Sequence, residues 1–292
     1  MLVSDVLDRT YSEWLYPAGV GRPNFDTLLS ELSSGGLSIS LSGRVSNLPA
    51  DTILEIESEL ILTASVVGST VTVSARGYLE TDAVAHAAGT RVYVDPKYPR
   101  KVLFNALNTL IGDLWGLGVY LPATDSSQTY TTQGLLTLPS GARRVVSVLV
   151  SRFSSYTHYR RLVKGRHYEV YPEFSPVQVQ LLGGGATDRP LVIRYAKEVS
   201  QASLESDNLT TLGVPTNLQP HLTLGLAGYL LQSRELPRVQ VEEIRRLLSA
   251  AGVQVGAALN IGQALYNQYL RYVLAEAAVL RQSEEGTIEI VQ

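Results

Sequence analysis

The spacing of apolar residues changes repeatedly along the chain, and these changes limit the folds that it can adopt. Residues 2–15 carry apolar side chains at helical spacing, whereas residues 37–94 alternate with the period of two that is typical of strands. A helical stripe returns after Pro99, strand patterns fill residues 135–196, and helical spacing resumes beyond Pro215. This order lacks the regular strand–helix alternation of a doubly wound parallel sheet. It predicts an α+β protein with a helical core and two β-rich insertions.

The predicted helical core has four parts: an N-terminal helix, a middle helix near residues 99–116, and two C-terminal helices. The chain divides accordingly into an N-terminal helical segment, a small β module, a helix, a second β-rich insert and a C-terminal helical region. The bounds of these segments, in order, are 1–36, 37–96, 97–118, 119–200 and 201–292.

Shorter patterns predict individual elements within these segments. A second short helix is expected at residues 25–32, and residues 60–67 and 70–75 predict the two strands of a hairpin. Residues 239–281 predict one long helix, and the alternation in residues 287–291 predicts a short edge strand.

The residue inventory excludes several kinds of chemistry. The 292 residues include no cysteine, which rules out disulfide scaffolds, thiol catalysis and cysteine-ligated metals. The histidines, at positions 86, 158, 167 and 221, lack the i, i+4 helical spacing that would place two of them on one zinc ion. Serine-nucleophile and phosphate-loop motifs are also missing. The sequence therefore predicts a protein that is not an enzyme and that holds no cofactor or metal.

Three glutamates with a spacing of two are the best candidates for acid–base chemistry. Glu55, Glu57 and Glu59 would lie on one face of a single strand. Paired carboxylates can act as acid and base or hold a divalent ion. Strand alternation also predicts a solvated polar face opposite the apolar residues, and this interpretation is favoured. The three carboxylates then remain candidates for a subunit interface.

Charge is distributed unevenly along the chain. Residues 1–100 hold 7 basic and 12 acidic side chains, whereas residues 101–200 hold 11 basic and 6 acidic ones. Part of the basic excess clusters with interleaved tyrosines, as expected of a surface that contacts a phosphate backbone. Docking on an acidic neighbour, including another copy of the chain, is favoured because the total charge is −3. The candidate interface residues in this cluster are Arg143, Arg144, Arg160 and Arg161.

The second C-terminal helix carries no formal charge between Arg246 and Arg271. Its amide side chains would be costly in lipid, so we expect it to pack against protein rather than to span a membrane. Close packing between subunits, a neutral channel wall, or a helix buried within one chain would each explain the missing charge. Leu259, Tyr266 and Tyr269 are its candidate subunit-interface residues.

Two groups of residues resemble structural proteins of tailed bacteriophages. The first follows the predicted hairpin with the spacing R-G-x3-T-x4-H-x2-G-x2-V, similar to a short β module that recurs in such proteins. Its members are Arg76, Gly77, Thr81, His86, Gly89 and Val92. The second group resembles head-to-tail adaptor proteins of the phage neck. It comprises the strand block 190–195, the turn 212–215, and the helix 222–235 with its small residues Ala227 and Gly228.

The resemblance implies a structural virion protein that joins the capsid portal to the tail as a ring, of twelve copies. Its partners would be further copies of itself, the portal protein and a downstream neck or tail protein. Genomic DNA would pass through the lumen without sequence-specific contact. The protein would reside in the neck of the virion, and in the host cytoplasm during assembly.

Two other functions compete with this one. The chain could be another structural protein of the tail or baseplate, since those proteins also work through packing between subunits. It could instead be a glycan hydrolase that uses Glu55, Glu57 or Glu59, although the solvated-face interpretation of these residues is favoured.

Overall fold

Three β-sheets form the framework of the molecule. The computed structural model describes residues 1–15, 24–43, 48–130, 134–151, 159–174, 176–182, 188–232 and 258–286. Within these ranges, fourteen strands are accompanied by four α-helices. The predicted helical core with two β-rich insertions is wrong, because two hydrophobic clusters of the molecule are built on the strands of these sheets.

The element bounds are as follows. The six-stranded sheet contains β1 (Phe25–Thr27), β2 (Ser38–Ser40), β3 (Ile53–Ile56), β4 (Glu59–Val67), β5 (Thr70–Ala75) and β6 (Arg91–Val94). The five-stranded sheet contains β7 (Leu121–Asp125), β8 (Thr129–Tyr130), β10 (Ala142–Ser151), β11 (Tyr159–Arg161) and β14 (Arg189–Lys197). The three-stranded sheet contains β9 (Leu135–Thr137), β12 (Tyr168–Tyr171) and β13 (Gln178–Leu181). The α-helices are α1 (Val3–Arg9), α2 (Arg100–Gly116), α3 (Leu222–Gln232) and α4 (Ala258–Gly286).

Contacts divide the chain into two compact units. One unit contains Ser4–Thr109 and Leu222–Gln268. The other contains Met1–Val3, Leu110–His221 and Tyr269–Gln292.

The six-stranded sheet of the first unit closes on itself. Its strand order is β1-β6-β3-β4-β5-β2, with every pair antiparallel. The two outermost strands are joined by an antiparallel bridge between Leu28 and Leu41, and the Leu29 N–H donates to the Ser40 carbonyl at 2.9 Å. Alternate side chains of these strands, such as Ile39, fill the space that the closed sheet surrounds.

The other unit contains the five-stranded and three-stranded sheets. In the five-stranded sheet β14 lies between β10 and β7, and β8 pairs with the start of β14. Side chains of β14 alternate between its two faces, as strand geometry requires. Leu191, Ile193 and Tyr195 are buried in a hydrophobic cluster shared with the three-stranded sheet, whereas Val192 and Arg194 are half-buried on the opposite face.

Several predicted elements are confirmed, and one is wrong. The middle helix is α2, and the hairpin predicted at residues 60–67 and 70–75 is formed by β4 and β5. The helix predicted at residues 25–32 does not form. Phe25–Thr27 is instead a strand that pairs with β6, because Phe25 packs opposite Tyr93 across the sheet.

Helices α3 and α4 approach each other within the first unit at two glycines. A Cβ atom on Gly228 would lie 2.6 Å from the Tyr266 backbone nitrogen and 2.8 Å from the Gly262 carbonyl oxygen. A Cβ atom on Gly262 would lie 2.8 Å from the backbone nitrogen of Gln232. Only residues without a side chain allow the two backbones to come this close.

The predicted long helix is present in part. Helix α4 begins at Ala258, and residues 239–257 lie outside the described residues, as does the edge strand predicted at 287–291. Every fourth side chain of α4 is buried: Ile261, Leu265, Tyr269, Val273 and Ala277. Within the described ranges, no helix is both long enough and apolar enough to cross a membrane.

Replacing Gly228 by alanine should destabilise the fold. The added methyl group would overlap the backbone of α4, and overpacking of this kind costs about 1–3 kcal/mol. Chemical denaturation monitored by circular dichroism would measure the loss in the free energy of unfolding.

Gly116→Ala is the matched control, because a Cβ atom at Gly116 in α2 would meet no atom within 4 Å. This change should leave the free energy of unfolding within about 0.5 kcal/mol of the unmodified value, because Gly116 is an exposed residue at the end of α2. Equal effects of the two substitutions would contradict the close crossing of α3 and α4.

Candidate functional site

The three candidate glutamates do not share one strand face. Glu55 lies in β3, Glu59 begins β4, and Glu57 occupies the tight turn between them with a φ angle of 56°. The solvated face predicted for them is therefore wrong for two of the three. Glu59 is 0% exposed and Glu55 is 3% exposed, whereas the Glu57 side chain is 61% exposed.

Glu59 is the centre of a buried ionic network. Its Oε1 accepts hydrogen bonds from Arg76 Nε at 2.6 Å and from the Gly77 backbone N–H at 3.1 Å. Its Oε2 accepts from Arg76 Nη2 at 2.8 Å and from the Val84 N–H at 3.2 Å. The guanidinium and carboxylate thus form a bidentate pair, which is the strongest geometry available to an arginine and an acid.

The His86 imidazole completes this network. Its Nε2 lies 2.8 Å from Glu59 Oε2, and its Nδ1 lies 2.9 Å from Glu57 Oε2. Both ring nitrogens therefore face carboxylate oxygens, and a ring that carries both protons donates to each. The imidazole is fully buried, so the network is closed to solvent on this side.

Arg76 also ties three separate backbone segments together. Its Nη1 donates to the carbonyl oxygens of Ser33 and Gly36 at 2.7 Å and 3.0 Å. Its Nη2 donates to the Val84 carbonyl at 2.6 Å. One side chain thereby links β5 to the loop before β2 and to the loop before β6.

The remaining motif residues shape the loop that carries His86. Gly77 has a φ angle of 62°, and a Cβ atom there would lie 2.6 Å from the Thr81 carbonyl oxygen. The Thr81 hydroxyl accepts from the Leu60 N–H at 3.0 Å and donates to the Tyr78 carbonyl at 2.9 Å. The spacing R-G-x3-T-x4-H therefore describes residues that hold one loop against the closed sheet.

Glu55 supports the start of helix α2. Its carboxylate accepts a hydrogen bond from the Arg100 backbone N–H, which is one of the unpaired donors at the helix N-terminus. A negative charge at this end is also favoured by the helix dipole. The Arg100 side chain donates from Nη1 to Asp8 at 2.6 Å.

Electrostatics keeps the Glu59 carboxylate ionised. Burial acts to raise the pKa of Glu59, but hydrogen bonds from Arg76, His86 and the backbone outweigh it and hold the pKa below its ordinary value of 4.5. The carboxylate is therefore a fixed negative charge at neutral pH, which fits a structural ion pair better than a proton-transferring group.

Two of the four candidate arginines form ion pairs within the chain. Arg143 Nη2 lies 2.8 Å from Glu198 Oε2, and Arg144 Nη2 lies 2.6 Å from Glu284 Oε1. The Tyr120 hydroxyl donates to the same Glu284 carboxylate. Burial, together with that carboxylate, raises the pKa of Tyr120 to about 12, so its hydroxyl remains a donor at neutral pH. These pairs fasten the end of α4 and the segment after β14.

The other two arginines are exposed on β11. Arg160 Nη2 lies 3.5 Å from His167 Nε2, and Arg161 lines a cavity on one face of the five-stranded sheet. Lys164 and Arg166, in the turn that follows, are also exposed. An exposed basic edge is thus present, although Arg143 and Arg144 belong to intrachain pairs at another place.

The candidate residues of α4 occupy different environments. Tyr269 is 1% exposed and belongs to the buried stripe of the helix, whereas Tyr266 is half-buried. The side chain of Leu259 lies outside the described residues. Their role in a subunit interface stays a prediction.

Sequence reasoning missed the partners of the buried network. The sequence identifies Arg76 and His86 only as members of the spacing R-G-x3-T-x4-H-x2-G-x2-V, which resembles a phage β module. It does not indicate their contact with Glu59. Glu59 begins β4, whereas Arg76 follows β5 and His86 lies in the loop before β6, so no local pattern in the sequence brings the three together. Among the described residues, no group of three or more His, Asp or Glu side chains is arranged to hold a metal ion.

No family model and no curated protein matches this chain. Among solved structures, it is similar to a chain from the "Neck of empty GTA particle computed with C6 symmetry". The two share 11% sequence identity with a TM-score of 0.22, and the match covers 57% of this chain and 78% of that chain. A TM-score this low means that the backbones do not superpose as one fold. The likeness to a particle neck is therefore coarse, and no specific connector role follows from it.

Glu59→Gln should destabilise the protein strongly. The substitution leaves the buried Arg76 guanidinium without its counter-charge, and breaking a buried pair in this way costs about 3–5 kcal/mol. Glu57→Gln is the matched control, because an exposed partner of this kind contributes about 0–1 kcal/mol. Denaturant unfolding of both variants at pH 7 would measure the difference, and similar losses would contradict a central role for Glu59.

Acid should weaken the fold through the same carboxylate. Because the pKa of Glu59 is lower in the folded chain, its contribution is present above the unfolded-state value of about 4.5. The contribution is lost as the pH falls through the folded pKa. Unfolding measured between pH 7 and pH 3 should therefore show a steeper loss of stability in the unmodified protein than in Glu59→Gln. Parallel pH profiles would show that other groups cause the acid sensitivity.

Proposed function

We propose that this chain is a structural component of a virion neck, which assembles with copies of itself into a ring between the portal and the tail. The observation that carries the proposal is an exposed apolar face on α4. The resemblance of the sequence to head-to-tail adaptors of tailed phages also supports the proposal. In this proposal the protein works by packing against neighbours, and it catalyses no reaction.

The ionisable residues of the first unit favour such a role. Glu59, Arg76 and His86 are fully engaged with one another and with backbone groups, and Glu55 is engaged with the start of α2. Networks in which every member is satisfied rigidify a fold. A rigid fold of this kind suits a structural subunit that holds its neighbours in fixed positions.

The exposed face of α4 lies opposite its buried stripe. Leu274 is 54% exposed and Val279 is 57% exposed, and Ala275 and Ala278 between them are exposed as well. Residues four apart lie on one side of a helix, so Leu274 aligns with Ala278, and Ala275 aligns with Val279. A contiguous apolar helix face in contact with water is typical of a surface that binds another protein. The proposed occupant is a neighbouring copy of this chain.

The remaining partners are proposed from the same resemblance. The portal protein would contact one end of the ring and a downstream neck or tail protein the other. The exposed basic residues of β11 and its turn would meet an acidic surface of a neighbour, which sets the register of the ring through charge complementarity. Genomic DNA would pass through the lumen without sequence-specific contact.

Glu substitutions on the α4 face should abolish ring formation. Leu274→Glu and Val279→Glu would each bury a carboxylate in every contact between copies, at a cost of at least about 1–3 kcal/mol per copy. We expect sedimentation velocity to show rings for the unmodified chain and monomers for the variants. The circular dichroism spectrum should stay unchanged, because both side chains are exposed in the single chain.

Val67→Glu provides the control, since Val67 is an exposed apolar residue at the hairpin tip between β4 and β5. Rings should persist in this variant. If the unmodified chain stays monomeric, alone and with portal protein, the proposed function is wrong. Imaging of particles that carry a labelled copy would place the ring in the neck, as proposed, or in another part of the tail.

A further inference from the structure

The five-stranded sheet carries a cavity of about 350 Å³ on one of its faces. All of the described lining residues belong to the unit that contains this sheet. Leu149 and Val146 of β10 give the cavity an apolar area, and Ser147 and Thr124 add hydroxyl groups. Cavities of this size take small molecules, whose orientation is fixed by a few placed polar groups.

Strand register brings two arginines to this cavity from different strands. Arg161 pairs with Leu149, and Arg194 pairs with Ser147, two residues earlier on β10. Residues that pair directly share a sheet face, so both arginines lie on the face of Leu149 and Ser147. Strand spacing separates their Cα atoms by about 10 Å across the sheet and about 7 Å along it. Both arginines line the cavity, so their guanidinium groups can approach one ligand from two sides.

The adjacent arginine, Arg160, lies on the opposite face of the sheet. Successive residues of a strand point to opposite faces, and Arg160 pairs with Val150, a member of the hydrophobic cluster on the other face. Arg160 Nη2 lies 3.5 Å from His167 Nε2. Two neighbouring arginines of β11 therefore serve different surfaces, and only Arg161 serves the cavity.

The charge of the cavity is not balanced by its own lining. Its only acidic lining residue among those described, Glu284, is paired with Arg144 and with the Tyr120 hydroxyl. No carboxylate forms an ion pair with Arg161 or Arg194 in the described part of the chain. The cavity thus presents two positive charges that its lining does not neutralise.

A phosphate monoester matches these two charges. Such a group carries a charge of about −1.5 to −2 at pH 7, whereas a carboxylate or a phosphodiester carries about one negative charge. The forked guanidinium group of arginine binds phosphate oxygens through two parallel hydrogen bonds. The hydroxyl groups of Ser147 and Thr124 lie on the same lining and can serve a further phosphate oxygen. The apolar area beside them suits an organic body attached to the phosphate.

We propose that this cavity binds a phosphate monoester with an organic body of about nucleotide size. Arg161 and Arg194 hold the phosphate group, and Leu149 and Val146 contact the organic body. The site lies within a single chain, so this proposal goes beyond the proposed function and does not depend on a ring.

Isothermal titration of the full-length chain with adenosine monophosphate tests the chemical class of the ligand. We expect one site per chain at pH 7.5. Inorganic phosphate lacks the organic body, and cyclic adenosine monophosphate is a phosphodiester with a single charge. Each should bind at least about tenfold more weakly, because one kind of contact is lost. Adenosine, which lacks the phosphate, should give no measurable binding.

Substitutions test the assignment of the two arginines. Arg161→Gln and Arg194→Gln should each weaken the binding of adenosine monophosphate by at least about tenfold, since each removes a charge-assisted contact. Arg160→Gln is the matched control, because it changes the neighbouring arginine on the opposite face, and it should leave the affinity unchanged. Circular dichroism spectra should be the same for all three variants.

Two oligonucleotides distinguish the possible sources of the monoester. Tighter binding of a 5′-phosphorylated single strand than of adenosine monophosphate, lost without the 5′-phosphate, would identify a nucleic-acid end. Tighter binding of adenosine monophosphate would identify a free nucleotide, and either result supports the site.

Four results would overturn the proposal. They are no binding of adenosine monophosphate, affinity equal to that of its cyclic diester or of inorganic phosphate, affinity unchanged by Arg161→Gln and Arg194→Gln, and binding of a strand without a 5′-phosphate that these two substitutions weaken. None of these readouts requires a ring, so the outcome is separate from the test of the proposed function.

Discussion

The first unit depends on a single carboxylate that is buried with its charge intact. Glu59 sits at the start of β4, where it accepts hydrogen bonds from a guanidinium, an imidazole and two backbone amides. Removing an ion from water is expensive, and only this dense set of donors compensates for it. The same donors come from segments that are far apart in sequence. The network therefore requires the loop before β2, the loop before β6 and the β3–β4 turn to be in place together.

Hydrophobic periodicity predicted individual elements well and their arrangement poorly. Helix α2 and the β4–β5 hairpin have strong local patterns that end at proline or glycine, and both were predicted. The helical core was wrong because periodicity shows which face of an element is apolar, but not which element covers it. Helix α4, for example, buries one stripe and leaves Leu274 and Val279 exposed.

The candidate glutamates show a second reason for failure. The turn at Glu57 and Ser58 contains no glycine, proline or asparagine, and serine is only a weak turn former, so the composition hardly marks the point where β3 ends. A continuous alternation was therefore interpreted as one strand. Ion-pair partners were equally hidden: Arg76 lies 17 residues from Glu59, and Glu284 lies 140 residues from Arg144. Contacts of this range depend on the tertiary fold, and charge counts along the chain do not show them.

The closure of the six-stranded sheet affects how its backbone could pair with another chain. An open sheet would offer rows of unused amide and carbonyl groups to any neighbouring chain, and identical neighbours are the most dangerous templates for fibre growth. Here the bridge between Leu28 and Leu41 joins the two outermost strands, and the Leu29 and Ser42 N–H groups donate to the Ser40 and Thr27 carbonyls across it. Those groups are then unavailable for strand-to-strand growth at this sheet, so side chains rather than this backbone edge would govern any contact that the six-stranded sheet makes with another chain.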